Sequence, residues 1–188
     1  MNEPFLDQAA TARDRYLTFL RRAIDGWKTE AVEVLVQPHG RTTPSPFCLC
    51  RIDAILGSAD APRLQRACDA ITQAPESRFV LSGGIEVHQK SFSWEALRVE
   101  FSSREFAIEQ LGTWLHRWLD PDETRSAGAD GLSGVVHDLS WSFMEPDAWG
   151  LDLDLGSAPI DALSELLDVL SRGGVRSITL SRTDLGDA

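Results

Sequence analysis

Lysine, cysteine and long apolar runs are scarce in this chain of 188 residues. Only Lys28 and Lys90 accompany 16 arginines. No apolar run approaches the ~18–20 residues that a membrane-spanning helix needs. The first residues, "MNEPFLDQAATARDRYLTF", carry early acids and lack the apolar core of a signal peptide. We therefore expect neither a membrane anchor nor export.

The cysteines are too few for a disulfide framework. There are three, Cys48, Cys50 and Cys68, and an odd number leaves at least one thiol unpaired. Cys48 and Cys50 are too close in a strand for an ordinary disulfide, and no second thiolate or histidine pair follows them at zinc spacing. We expect reduced, buried cysteines in a bacterial cytoplasm, with no metal and no cofactor.

The common catalytic motifs are also missing. The chain contains no GxSxG, GxGxxG or GxxxxGK[ST] stretch. Its four histidines are scattered, without HxxxH or HExxH spacing: His39, His88, His116 and His137. A Cys-His dyad would need a tertiary proximity that spacing does not reveal. The sequence therefore favours a protein that is not an enzyme.

Acidic residues are abundant, and they are concentrated in the last third of the chain. The formal net charge is −11. Residues 1–119 hold 15 acids and 14 bases, whereas residues 120–188 hold 14 acids and four bases. Such a field repels nucleic acid and anionic membranes and speeds encounter with a basic protein, although it also serves solubility.

Apolar periodicity predicts an N-terminal helix and then strands. The helix covers Phe5 to Trp27, where apolar residues recur at helical spacing. The stretch "AVEVLVQ" follows as a strand whose inward-facing residues are Val32, Val34 and Val36.

Three similar strand-turn-helix units come next. The first places Ile52, Ala54 and Leu56 on one strand face and begins a helix near Asp60. The second has a strand over "LRVEF" and a helix from Glu105 to Leu119. The third has a strand over "WGLDLDL" and a helix capped by Ser157, with a core side of Ile160, Leu163, Leu167 and Leu170.

These patterns predict an α+β fold. We expect a mainly antiparallel sheet built from tandem ferredoxin-like (split βαβ) units, with helices on one face and an extra N-terminal helix. Residues 1–120 hold the N-terminal helix and the first βαββα unit, and residues 121–134 form a flexible loop. Residues 135–188 form an acidic ββαβ unit that shares one core with the first.

Acids of the last third form the candidate partner-binding site. Asp161, Glu165 and Asp168 share one helix face, where like charges destabilise an isolated helix by a few tenths of a kcal/mol, about 0.2–0.5 each. Basic side chains of a partner would relieve that repulsion. The candidate set is completed by two strand acids and two acids of the preceding turn, which are Asp152, Asp154, Glu145 and Asp147.

Three functions remain open at this point. The favoured one is an immunity-type inhibitor that neutralises a basic toxin through its acidic C-terminal face. The second is a regulatory module of paired ferredoxin-like units that binds a small molecule at their junction. The third is a metal-dependent enzyme, because Asp152 and Asp154, with Asp138 opposite, could hold a divalent cation.

Overall fold

The computed structural model describes residues 3–27, 31–55, 63–64, 76–81, 83–145 and 147–183. This part of the chain has an α+β fold with helices α1 (Glu3–Trp27), α2 (Gly112–Leu119) and α3 (Ile160–Arg172). A short 3-10 helix, Ile108–Leu111, leads into α2. Among the helices described, none combines the length and apolarity needed to cross a membrane.

The strands form two sheets. The small sheet has the order β1-β2-β3, and the large sheet has the order β4-β5-β9-β6-β8-β7. Neighbouring strands are antiparallel except β5 and β9, which are parallel. The strands are β1 (Ala31–Val36), β2 (Cys50–Ile55), β3 (Arg63–Leu64), β4 (Ser77–Val80), β5 (Glu86–Gln89), β6 (Leu97–Ser102), β7 (Asp138–Glu145), β8 (Ala148–Asp154) and β9 (Ser177–Arg182).

The central strands β6 and β8 alternate as expected. Leu97, Val99 and Phe101 are buried on β6, and leucines on β8 pack in the same core. Arg98 and Glu100 lie on the opposite, polar face of the sheet. The apolar face is covered by α1, α2 and α3, whose buried residues belong to one continuous core. Helix α3 buries the predicted residues Leu163, Leu167 and Leu170.

The two predicted regions of the chain interleave in the large sheet. β8 lies between β6 and β7, and β9 lies between β5 and β6. Residues from α1 to β9 therefore contribute to a single core. The tandem ferredoxin-like arrangement is not confirmed, since the sheet order does not separate into consecutive units.

Two predicted helices differ in position. Arg63 and Leu64 lie in a strand, and the rest of the helix predicted near Asp60 lies outside the described residues. The helix predicted from Glu105 begins later, with the 3-10 turn. Before this turn, the Ser103 hydroxyl oxygen accepts hydrogen bonds from the main-chain amides of Glu105 and Phe106.

The loop at 121–134 contains neither helix nor strand. Asp120 at its start accepts hydrogen bonds from the amides of Thr124 and Arg125 at 3.0 and 2.9 Å. Arg125 in turn donates to the Gly134 carbonyl oxygen at 2.6 Å. The predicted mobility of this loop stays a prediction.

The small sheet reverses the predicted faces. Glu33, Arg51 and Asp53 are buried, whereas Val34 and Ile52 are only half-buried. The register explains why these three charged residues share one face of the small sheet. Glu33 pairs with Asp53, and Leu35, two residues further along β1, pairs with Arg51. Leu56 and the side chains of Val32 and Ala54 lie outside the described residues. The prediction that Val34 points inward was therefore wrong, and its cross-strand partner Ile52 lies on the same, less buried face.

Buried Arg51 is stabilised by main-chain acceptors. Its guanidinium donates to the carbonyl oxygens of Leu119, Glu33 and Asp120 at 2.6–2.7 Å. These bonds connect the small sheet to the end of α2. A buried charge needs such partners to be tolerated, and here the backbone supplies them.

Candidate functional site

A buried polar cluster lies where α1 and the two sheets meet. Glu33 on β1 and Asp53 on β2 are direct cross-strand partners. His137, immediately before β7, lies against them, and no more than 7% of any of these three side chains is exposed. We call Glu33, Asp53 and His137 the buried triad.

The polar atoms of the buried triad converge. His137 Nε2 is 2.9 Å from Glu33 Oε1 and 3.8 Å from Asp53 Oδ1. One ligand-type atom from each residue lies within 4.8 Å of the other two. Asp53 Oδ1 is buried, and none of the described residues forms a hydrogen bond with it. The triad thus includes one carboxylate oxygen that is removed from water and left unsatisfied.

Neighbouring groups also donate hydrogen bonds to the two carboxylates of the buried triad. The Ser133 amide donates to Glu33 Oε2 at 2.6 Å, and the Tyr16 hydroxyl on α1 donates to Asp53 Oδ2 at 2.8 Å. The Ser157 hydroxyl donates to Glu33 Oε1. Ser157 was predicted to cap α3, but Pro159 is the N-cap residue and provides no side-chain cap. The serine is used in the cluster instead.

The imidazole of His137 is positioned by contacts with Asp154 and Gly156. Its Nδ1 lies 3.8 Å from Asp154 Oδ2, and its main-chain amide donates to the Asp154 carbonyl oxygen at 2.9 Å. Gly156 lies against the ring, where a Cβ would stand 2.2 Å from His137 Cδ2, and its φ is +51°. Glycine is therefore required at this position by both space and backbone conformation.

Burial and neighbouring charges shift the pKa values of these groups in opposite directions. Burial lowers the pKa of His137, but the carboxylates of Asp154, Glu33 and Asp53 outweigh it and leave the pKa well above its usual value. Burial raises the pKa of Glu33, but hydrogen bonds led by the one from His137 leave it below its usual value. Burial leaves the pKa of Asp53 raised. The cluster therefore attracts a cation or a proton.

The structure places Asp152 on the polar face of the large sheet, beside a cation of its own. Arg98 Nη1 donates to both carboxylate oxygens at 2.9 and 2.8 Å, and the Thr183 hydroxyl donates to one of them at 2.7 Å. Arg98 also contacts Glu100 at 2.9 Å. The guanidinium occupies the position that a metal ion at Asp152 would need.

Asp154 and Asp138 are cross-strand partners, as the sequence suggested, but they are engaged separately. Asp154 Oδ1 accepts a hydrogen bond from the Gly156 amide at 2.9 Å. Both oxygens of Asp138 accept bonds from Arg41, at 2.6 and 2.7 Å. The geometry does not favour a shared cation at these strand acids.

The three α3 acids share the outer face of the helix. Asp161 and Asp168 are exposed. Glu165 accepts a hydrogen bond from Trp118 Nε1 at 2.9 Å and forms an ion pair with Arg117 at 3.0 Å. Residues of α2 therefore already offset part of the repulsion that the sequence indicated.

The remaining candidates lie in the β7–β8 turn. Asp147 has a φ of +65° and pairs with Arg104 at 2.9 Å. Glu145 is exposed at the end of β7, and no ion pair to it is present among the described residues. The seven predicted acids thus occupy the polar sheet face, the outer face of α3 and this turn, and do not form one continuous patch.

Two exposed apolar residues lie beside Glu145, at the edge of the large sheet. The first half of β7 is covered, since Phe47 packs on Trp141 with ring centroids 5.2 Å apart. Further along, Phe143 is 67% and Met144 44% exposed. Phe143 lies on the apolar face with Trp149, whereas the Met144 sulfur is 3.4 Å from Arg98 Nη2 on the polar face. We call the edge segment Phe143, Met144 and Glu145 the β7 edge patch. Sequence reasoning missed it, although two consecutive large apolar residues before a turn were its signal.

Sequence reasoning also missed the buried triad. Its signals were single charged residues inside otherwise apolar strands, such as Glu33 between two valines. Taken alone, each residue also fits a solvated strand face.

No protein-family model, curated protein or solved structure matches this chain.

Proposed function

We propose that this chain is a non-enzymatic protein-binding module, and specifically an immunity-type inhibitor that neutralises a basic toxin. The observation that carries the proposal is the β7 edge patch. Among the described residues the large exposed hydrophobics are Phe19, Val80, Phe143 and Met144, and only the last two are adjacent. Phe143 lies on the apolar face of the sheet against Trp149, and Met144 lies on the polar face against Arg98, so the two exposed side chains flank the strand edge from opposite faces. A partner segment that pairs with this edge would contact both.

The backbone of β7 adds a second binding element. Among the described strands β7 pairs on one side only, with β8. A free strand edge offers amide and carbonyl groups to an extended segment of a partner. Phe143 is also supported from below, because its ring lies 4.4 Å from that of Trp149. An aromatic residue that is anchored but exposed is typical of an interface hot spot.

Charge indicates the chemistry of the partner. Glu145 belongs to the patch itself, and Asp161 and Asp168 are exposed on α3. Residues 120–188 contain 14 acids and four bases. The field of these acids accelerates the encounter with a basic toxin, and the acceleration falls as salt screens it.

Two finer expectations belong to the same proposal. We place the inhibitor in a bacterial cytoplasm, where the free thiols of Cys48 and Cys50 remain reduced. We also propose that the fold is built from tandem ferredoxin-like (split βαβ) units. The pairs β6–α2 and β8–α3 support this, because each leads from a central strand to a helix on the same sheet face.

The test begins with capture of partners by the tagged protein from its host, grown under conditions that induce toxins. The captured protein is then purified, and its affinity and growth inhibition are measured with and without the chain. We expect a basic partner whose toxicity the chain suppresses. Phe143→Ala combined with Met144→Ala should weaken binding at least about tenfold.

The matched control is Val80→Ala, which changes an exposed residue on β4, the other edge of the large sheet. Its affinity should equal that of the unchanged chain. A partner that binds the double variant with full affinity would move the interface away from β7. A partner whose toxicity is unaffected by the chain would contradict the inhibitor function.

A further inference from the structure

We propose that the buried triad binds one divalent transition-metal ion, with Zn²⁺ the first candidate. Glu33, Asp53 and His137 each offer one ligand atom, and these atoms lie within 4.8 Å of one another. Imidazole nitrogen and carboxylate oxygen are ordinary zinc ligands. The ion would connect β1, β2 and the segment before β7. This inference does not depend on the proposed inhibitor function.

The distances fit a small four-coordinate ion. Bonds of about 2.0–2.1 Å in a tetrahedral site keep ligand atoms about 3.3 Å apart. His137 Nε2 lies 2.9 Å from Glu33 Oε1 and 3.8 Å from Asp53 Oδ1, on either side of that value. Small shifts of the two carboxylates bring both distances to that value, and the third distance, between the two carboxylate oxygens, is no more than 4.8 Å.

The unsatisfied oxygen of Asp53 points to a missing partner. Asp53 is 8% exposed, and in the part of the chain that the structure describes its Oδ1 has no hydrogen-bond partner. The other oxygen accepts a bond from Tyr16, which leaves Oδ1 directed at the triad. His137 Nε2 is 3.8 Å away, too far to donate a hydrogen bond to it. A buried carboxylate oxygen without a partner is costly, and a metal ion would supply one.

The charge balance also favours a cation. Glu33 and Asp53 bring two carboxylates out of contact with water, and a protonated His137 would neutralise only one. Arg13 and Arg51, which lie nearby, donate to main-chain carbonyl oxygens. A divalent ion bound by a neutral imidazole balances both carboxylates.

The groups behind the ligands are of the kind that orient metal ligands. The Asp154 carboxylate lies on the far side of the ring, with Oδ2 3.8 Å from His137 Nδ1, and a small approach of the two groups would complete a carboxylate-histidine-metal arrangement. The Ser133 amide fixes Glu33 through its second oxygen at 2.6 Å. The ligands are therefore held in place from outside, so that little reorganisation is needed on binding.

The decisive measurement is the metal content of the purified chain, with any polyhistidine tag removed. We expect about one zinc ion per folded chain by mass spectrometry of the digested protein. The chain is then unfolded, stripped with a chelator and refolded with Zn²⁺, Mn²⁺, Mg²⁺ or Ca²⁺. Zn²⁺ should raise Tm by roughly 5 °C or more, and Mg²⁺ and Ca²⁺ should have little effect because they prefer more oxygen ligands.

Two variants locate the ion. Asp53→Asn should lose it, while Asp152→Asn, whose carboxylate is paired with Arg98, should retain it. If Asp53→Asn does not fold, X-ray absorption of the unchanged chain decides. It should report one imidazole and oxygen ligands, without sulfur.

Three results would overturn the inference. A folded chain with less than about a tenth of an ion and no response of Tm to any of the four metals would mean that protons alone hold the cluster. Full zinc content in Asp53→Asn would place the ion elsewhere. Sulfur ligands would assign it to the cysteines.

Discussion

In two strand pairs of this molecule, charged and apolar residues follow one another along the strands. One pair buries its apolar residues, and the other buries its charged residues. In β6 and β8 the leucines, Val99 and Phe101 are buried, and Arg98 and Asp152 lie on the polar face. In β1 and β2 the charged Glu33, Arg51 and Asp53 are buried. The neighbouring Val34 and Ile52 are half-buried. The same kind of sequence pattern therefore has two structural outcomes.

The difference depends on what each pair packs against. The apolar face of β6 and β8 meets three amphipathic helices, so burial of hydrocarbon decides the orientation. The inner face of β1 and β2 meets polar groups, including the carbonyl oxygens of Leu119 and Asp120 and the hydroxyl of Tyr16. A charged residue is stable inside only where such partners are already in place.

The largest expected effect comes from neutralising an inward acid. Glu33→Gln removes the anionic acceptor of His137 and of two donors, and should lower the free energy of unfolding by about 3–5 kcal/mol. Glu100→Gln, on the polar face of β6, should change it by less than about 0.5 kcal/mol. Urea unfolding compares the two. Equal losses would remove the distinction between the strand pairs.

A smaller effect is expected at the glycine that contacts His137. Gly156→Ala places a Cβ against the ring at a positive φ, and should cost about 2–4 kcal/mol. Gly84→Ala is the control, because Gly84 has a φ of +80° and open space around it. It should cost about 1–2 kcal/mol from backbone conformation alone. Similar thermal unfolding of both variants would mean that the ring moves aside without loss.

The smallest of the three concerns the arginines. Arg51→Lys keeps the charge but cannot reproduce three bonds to separate carbonyl oxygens, and should cost about 1–3 kcal/mol. Arg98→Lys, at a site 22% exposed, should cost no more than about 1 kcal/mol. Urea unfolding of the two lysine variants measures the difference. A larger loss for Arg98→Lys would reverse the ranking of the two strand pairs.

The sequence predicted the parts of the fold that depend on local periodicity. Helix α1, the strands β6 and β8 and the core side of α3 follow from apolar spacing. The faces of β1 could not be predicted in this way, because three valines in alternation indicate an inward face unless the partners of Glu33 are known. Strand order was also beyond reach, since it depends on pairings such as that of Val87 with Ile178.

The candidate site was less predictable than the fold. The acids of α3 were found as a helix face, because their spacing is a local property. The buried triad joins residues 33, 53 and 137, whose proximity arises only when both sheets pack together. The same holds for the partners of Asp152, since Arg98 is 54 positions away. Single charged residues in strands give no sign of which of them will meet.

The position of β9 has a consequence for synthesis on the ribosome. It is the last strand described, yet it lies between β5 and β6, so that the earlier strands remain in two separate groups until Ser177–Arg182 has left the exit tunnel. Up to that moment, β5 and β6 each expose an edge that β9 will later cover. A nascent chain paused before this point would be prone to aggregation through those edges and a natural client for chaperones.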